Sequence, residues 1–325
     1  MLQGQGKRPV GGVDYPRTYQ EFRDWFDDEA ACREYLAGLR WPDGFCCPRC
    51  GGWEAWVTGR GLWMCPGCGL KTSVTAGTVF HRSRTPLSTW FAAIWLVTSQ
   101  RNGVSAAGLR DVLGFGSYET AWAWLHKLRR AMVRPERDLL GDPAAGVSVE
   151  LDQSFLTGVG LGTKGSVTSG TIPITIAVER LPNDRLGRVR LETPVKPGGL
   201  DMIDFAAEVI TPGTVIHTDG ARVFRDRLPG LGFGHQATPS SKNGKLVADI
   251  DAVMPGPHLV SSLLKRWTAG TLHYRLSQDH LPYYLDEFTF RFNRRSSRAR
   301  GMLFYRLLQQ AADTGPHPLK ELIGG

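Results

Sequence analysis

The sequence predicts an α+β multidomain protein: an N-terminal helix and a cysteine-rich module, then a helical module, then a mixed α/β domain. Three observations carry this. Two Cys-x2-Cys pairs lie close together, amphipathic helical segments follow from about residue 85, and from Val147 onward short apolar runs of strand length alternate with Gly-rich turns. A chain of 325 residues also exceeds what one ordinary core organises.

Composition narrows the classes. Apolar residues make up 42% of the chain and ten are Trp, which excludes a globally disordered protein. The 39 Lys and Arg against 31 Asp and Glu leave a formal charge of +8, which favours a polyanionic partner. The longest apolar run, Trp90 to Val97, is too short to span a membrane, and Met1 to Gly12 carries no apolar signal core. A cytoplasmic, nucleoid-associated protein is expected.

Residues 1–18 read as a flexible tail. Thr18-Tyr19-Gln20-Glu21 has the capping-box pattern and opens a helix predicted to run to Leu39, with Phe22, Trp25, Phe26, Tyr35, Leu36 and Leu39 as its apolar stripe. Together with the cysteines that follow, it forms a segment over 19–80. Cys47-Pro48-Arg49-Cys50 and Cys65-Pro66-Gly67-Cys68 give two thiolate pairs separated by fourteen residues, each followed by a glycine. Two-residue spacers let four thiolates converge on one tetrahedral Zn2+, and the glycines permit the tight turns that aim backbone amides at sulfur. Without a secretory signal a disulfide pairing is the poorer reading. Glu54 to Val57 and Leu62 to Met64 fit the strands of a zinc ribbon, with Cys32 and Cys46 as bystanders.

The segment over 81–140 reads as helical. Pro86 starts a helix with an apolar face of Trp90, Phe91, Ile94, Trp95 and Val97; a second runs from Ser105 to Leu113; Gly114-Phe115-Gly116 turns the chain; and Ser117 opens a third through Met132. Two helices across a short Gly-containing turn, the second ending in Lys127, Arg129 and Arg130, fit a helix-turn-helix, and a plain three-helix bundle would show the same spacing. For the DNA-binding form the candidate contacts are Ser117, Tyr118, Thr120 and Lys127.

Residues 141–325 form the third segment. Val147 to Gln153 alternates as a strand with one buried face and delivers Asp152; Gly213 to Gly220 reads as a second strand with Asp219 at its exit. Either aspartate alone is what any edge strand carries. Between them lie a Gly/Ser/Thr/Lys loop over 158–170, strands over 171–179 and 187–193, and a helix over 201–210. Residues 223–228 form a short helix, 230–248 a loop, and 258–273 and 281–294 further helices. Strand, hairpin, hairpin, helix, strand is the order of an RNase H-like sheet, in which the first and fourth strands are neighbours and the two aspartates would meet.

On these residues the chain resembles bacterial insertion-sequence transposases of the ISXO type, built from a zinc ribbon, a helix-turn-helix and an RNase H-like DDE domain. The matching stretches are Cys47 to Cys68, Ala76 to Phe80, Val149 to Asp152, His217 to Gly220, Leu264 to Trp267 with Gly270-Thr271, and Tyr284 to Arg295. The resemblance implies DNA strand cleavage and strand transfer at element ends by two Mg2+ (or Mn2+) ions held about 3.5–4 Å apart. It implies that Asp152 bridges both ions, Asp219 holds one, and Lys265 holds a DNA phosphate. Where the third carboxylate of the triad would stand, this chain has His258. It lies seven residues before Lys265 and on the same helical face, and the resemblance assigns it that role. A helix-capping role, or Asp249, Asp251 or Glu287 as third ligand, is the alternative. Arg294 and Arg295, in a basic run interleaved with Phe288, Phe290 and Phe292, are implied to meet DNA phosphates. The expected partners are the element's terminal inverted repeats and target DNA, with at least a dimer bridging two ends. Other functions open to such a chain are an RNase H-like nuclease that cuts without joining, and an inactive relative acting as a zinc-containing DNA-binding regulator.

Overall fold

A computed structural model describes residues 8–133, 137–161, 168–194, 198–238, 241–242, 245–246, 254–273 and 276–323. The chain forms two compact units, one of residues 1–134 with 297–325 and one of residues 135–296.

The first unit opens with α1 (Tyr19–Trp25) and α2 (Glu29–Arg40) where periodicity predicts one helix. The break has a local cause. Asp28 adopts extended backbone and its side chain accepts from the Ala31 amide, so it caps a new helix rather than continuing the old one. Thr18 caps α1 by accepting from Glu21 N, and the Glu21 carboxylate reaches back to the Arg17 amide. The ribbon strands β1 (Trp56–Val57), β2 (Trp63–Met64) and β3 (Lys71–Thr72) pair antiparallel in that order. Next come α3 (Leu87–Ser99), α4 (Ala106–Leu113) and α5 (Tyr118–Ala131). Gly114 ends α4 in the left-handed conformation, and Ser105 and Ser117 cap α4 and α5. The first amides of α3 are satisfied from afar, since Leu87 N and Ser88 N both donate to the Glu29 carboxylate.

The second unit contains β4 (Ser148–Leu161), β5 (Thr168–Arg180), β6 (Leu186–Glu192), α6 (Gly199–Val209), β7 (Val215–Thr218), α7 (Arg222–Arg227), β8 (Gly234–Ala237), the short pair β9 (Ser241–Lys242) and β10 (Lys245–Leu246), α8 (Pro255–Leu272), β11 (Leu276–Ser277) and α9 (Leu281–Phe292). Its main sheet runs β6-β5-β4-β7-β8, with β11 added to the far end of β4. β4 and β5 are antiparallel and extend into the stretch expected as a loop, because backbone pairing continues to Leu161 opposite Thr168 past a shift at Thr157. β8 occupies part of the loop expected over 230–248. Its edge position and polar sequence, Gly-His-Gln-Ala, give no apolar alternation to read.

Both faces of this sheet are covered. Val149, Leu151, Ala177 and Ile216 pack with Ile203, Phe205 and Ala206 of α6. Ile174, Ile176, Val178 and Val189 pack on the other face with Val260, Leu264 and Trp267 of α8 and with Leu285, Phe288 and Phe292 of α9. The alternation in 147–153 therefore marks two buried faces, not one, and the polar position Glu150 is only 1% exposed. Another buried carboxylate, Glu179, accepts from the Gly141 amide and from the backbone and guanidinium of Arg188. Burial acts against its charge, but these donors hold its carboxyl below the usual range. Glu179→Ala is expected to destabilise this unit by roughly 2–3 kcal/mol, read from chemical denaturation, because it orphans buried amides.

The last helices, α10 (Arg300–Asp313) and α11 (Leu319–Ile323), return to the first unit, whereas the sequence places everything after residue 141 in one domain. The apolar stripe of α10 explains the return: Phe304 sits among Phe22, Phe26, Phe91 and Trp95. Gly301 is required there, since any Cβ would collide with the Pro16 carbonyl.

Candidate active site and metal centre

Cys47, Cys50, Cys65 and Cys68 bring their four sulfurs within 4.8 Å of one another. Cys47 to Cys68 and Cys50 to Cys65 are each 3.6 Å, far beyond a disulfide bond and close to the edge of about 3.8 Å that a tetrahedron with Zn–S of about 2.3 Å requires. The two knuckles fold alike. Gly51 N donates to the Cys47 carbonyl and Gly69 N to that of Cys65, both glycines holding positive φ, as the pattern anticipates. The Cys50 amide leads the groups that draw Cys47 down to about 6. The Gly52 amide favours the Cys50 thiolate, yet the three neighbouring thiols push Cys50 up to about 12. A quartet that cannot all ionise alone is suited to a divalent cation. Phe45 stacked on Trp63, with Trp41 and Leu70, backs it.

The acidic site lies in the second unit. β4 and β7 pair in parallel with Val149 level with Ile216 and Glu150 level with His217. Continued by two residues, the register sets Asp152 level with Asp219, just past the end of β7. Side chains alternate across a strand, so with Val149 and Leu151 packed toward α6, Glu150 and Asp152 face α8. Asp152 and Asp219 line one cavity of about 220 Å³ with Gln153, Gly199, Met202 and Phe224. Burial lifts the Asp152 carboxyl above its ordinary range. The Gln153 amide and His258 oppose that lift, and the charge of Asp219 adds to it. Asp219 is exposed and accepts from the Ala221 amide in a tight turn through Gly220, whose φ is +82°.

His258 does not line that cavity but stands on α8 near enough to act on Asp152. α8 is tied to β4 on either side of it: Gly256 N donates to Glu150 Oε2 at 2.8 Å, and Ser261 Oγ meets Ser154 Oγ at 2.6 Å. His258 falls between these ties and acts electrostatically on both Glu150 and Asp152. Lys265 stands exposed two turns further along α8. Among the described residues the cysteine quartet alone meets the 4.8 Å mutual spacing, so the two aspartates and His258 are set wider. Asp249 and Asp251 lie outside the described residues. Glu287 is buried and ion-paired with Arg291 at 2.7 Å.

The expected DNA contacts differ in their surroundings. Tyr118 and Thr120 are exposed, and Ser117 is engaged as the α5 cap. Lys127 is half-buried, 6.0 Å from the Trp90 ring, and burial lowers its pKa. Arg294 and Arg295 lie over Phe290 and Phe292, and Arg295 donates to the carbonyls of Leu186, Gly187 and Phe292. Sequence reasoning missed what this block does inside the unit: the Asn293 amide accepts from Val189 N and donates to Val189 O, closing the free edge of β6. It also missed Asp286, beside Arg137 at 3.5 Å, whose carboxyl burial pushes up to about 6.

Residues 143–293 match the ISXO2-like transposase domain, and residues 27–71 match the transposase zinc-ribbon domain. Residues 143–293 thus carry a domain of the ISXO2-like transposase family. Over 288 residues, 82% of the chain and 91% of the relative, the chain is 24% identical to an uncharacterized protein in transposable element ISH50 of Halobacterium salinarum. Both matched segments coincide with the centres described above, the cysteine quartet in one and Asp152, Asp219 and His258 in the other. No helix among the described residues is long and apolar enough to cross a membrane.

Proposed function

We propose that this transposase cuts and joins DNA at the ends of its element by metal-dependent phosphoryl transfer centred on Asp152 and Asp219. The observation that carries the reading is the parallel register of β4 and β7, which sets two carboxylates level at one cavity. Hard oxygen donors at a partly buried, self-repelling acidic pair fit Mg2+ or Mn2+. Bound there, such ions would activate the attacking hydroxyl and stabilise the leaving oxygen. Asp152 and Asp219 supply the charge that holds them, His258 is the third ligand, and Lys265 holds a phosphate of the strand. The zinc ribbon and the α4–α5 pair bind the terminal repeats, with Tyr118 and Thr120 presented at the α5 N-terminus, and two copies bridge the two ends.

The test is incubation of the purified full chain with labelled element ends in Mg2+, Mn2+ or chelator. Cleavage and joining are expected with either ion and neither with chelator; products formed equally in chelator would refute the reading. His258→Ala is expected to weaken Mn2+ affinity and slow cleavage by about 10- to 100-fold, the scale on which the supporting groups of metal sites act. Wild-type affinity and rate in that variant would remove His258 from the site.

A further inference from the structure

We infer that Glu150 is a positioning residue for the acidic site: its buried carboxylate, supplied by β4, caps the start of α8 and thereby fixes His258 beside Asp152. The inference rests on the reading of Asp152 and His258 as site residues, and gives Glu150 a role distinct from theirs.

α8 begins at Pro255 and has no side-chain cap of its own. Pro255 brings no amide hydrogen, so Gly256 carries the first N–H that needs a partner, and that partner is Glu150 Oε2 at 2.8 Å. A carboxylate at a helix N-terminus also faces the positive end of the helix dipole. The other oxygen, Oε1, has no hydrogen-bond partner among the described residues and lies 3.7 Å from Arg180 Nη1.

The approach is close enough to dictate the residue on the helix. A Cβ on Gly256 would stand 2.7 Å from Glu150 Oε2, 3.2 Å from Leu186 Cδ2 and 3.3 Å from Val178 Cγ1. Any side chain at 256 therefore displaces the Glu150 carboxylate or lifts the first turn of α8, and either breaks the tie. His258 follows two residues later, inside that first turn, and the next tie between α8 and β4 is Ser261 with Ser154. With the Gly256 tie gone, the turn bearing His258 loses its hydrogen bond to β4.

Glu150 and Asp152 share a strand face, so Glu150 as a direct metal ligand is the rival, and the two roles answer differently to substitution. A Gln side chain keeps an oxygen for the Gly256 amide but is a poor ligand for a hard cation. The test is calorimetric titration of Mn2+ into the full-length zinc-loaded protein without DNA, for wild type, Glu150→Ala, Glu150→Gln, Gly256→Ala and Asp152→Ala, with hydrogen exchange at the Gly256 amide.

Glu150→Ala and Gly256→Ala are expected to weaken Mn2+ binding by about 10- to 100-fold. Glu150→Ala should also deprotect the Gly256 amide, and Glu150→Gln should restore both properties to near wild type. Unchanged Mn2+ affinity in folded Glu150→Ala, with Asp152→Ala losing it, overturns the inference while leaving the acidic site intact. Loss in Glu150→Gln as deep as in Glu150→Ala overturns it in favour of direct ligation. Wild-type affinity in Asp152→Ala overturns the site and this inference together. If Glu150→Ala does not fold, Glu150→Gln and Gly256→Ala decide by the same criteria.

Discussion

Asp152→Ala and Asp219→Ala are each expected to reduce strand cleavage and joining by on the order of 10^3-fold or more, as removal of one member from a catalytic unit does. Binding to element ends, measured by mobility shift, should stay near wild type. The size of the effect follows from what each carboxylate does in the fold. Asp152 sits on a strand paired with β5 opposite Ile176, two residues beyond the pairing with β7, so the sheet fixes its backbone position. Asp219 is held by a turn that only a glycine at 220 readily permits. Burial is the main cause that raises the Asp152 pKa, and the charge of the Asp219 carboxylate adds to it. The two losses should not add. A double variant no slower than either single one is expected from quantitative cleavage rates, since the carboxylates act as one unit. Cleavage at ordinary rates in either single variant would remove the pair from the chemistry.

Removal of zinc is the second large effect. Cys65→Ser, or prolonged chelation, is expected to unfold residues 41–72 and to abolish the zinc content measured by atomic absorption. Apparent binding free energies of structural zinc sites are about 10–16 kcal/mol, and the ribbon has little else to hold it. Its three strands are two residues each, and its apolar cluster is limited to Phe45, Trp41, Trp63, Ala55 and Leu70 around the cysteines. Cys65 is 1% exposed, so its loss removes packing as well as a thiolate. The second unit has its own core on both faces of its sheet and should keep its far-UV circular dichroism and its melting transition. An unchanged zinc content in Cys65→Ser would contradict the ribbon geometry.

The convergence of the four cysteines and the nearness of Asp152 to Asp219 were legible in the sequence because each follows from a local pattern with a geometric consequence. A two-residue spacer places two sulfurs on one turn, and a strand that ends in Asp beside another such strand places two carboxylates on one edge. What escaped the sequence depends on neighbours distant along the chain. The polar half of the alternation at Val147 to Gln153 looks like a solvent face, yet α8, about a hundred residues later, covers it and turns Glu150 into a cap. The stripe on α10 shows that the helix is buried without showing in which unit. β8 has too little apolar character to be read as a strand, and its existence follows from the free edge of β7. The cap at Asp28 was readable: Asp27-Asp28-Glu29 interrupts the stripe, and an aspartate three residues before a free amide is a helix start.

Anomalous diffraction from crystals of the full chain soaked in MnCl2 measures directly whether cations are held between Asp152 and Asp219. The expected map has manganese peaks within about 2.0–2.6 Å of carboxylate oxygens of both residues, the range for hard divalent cations on oxygen. Peaks bound elsewhere with none at this pair, under conditions in which the same preparation cleaves element ends, would contradict a cation held there.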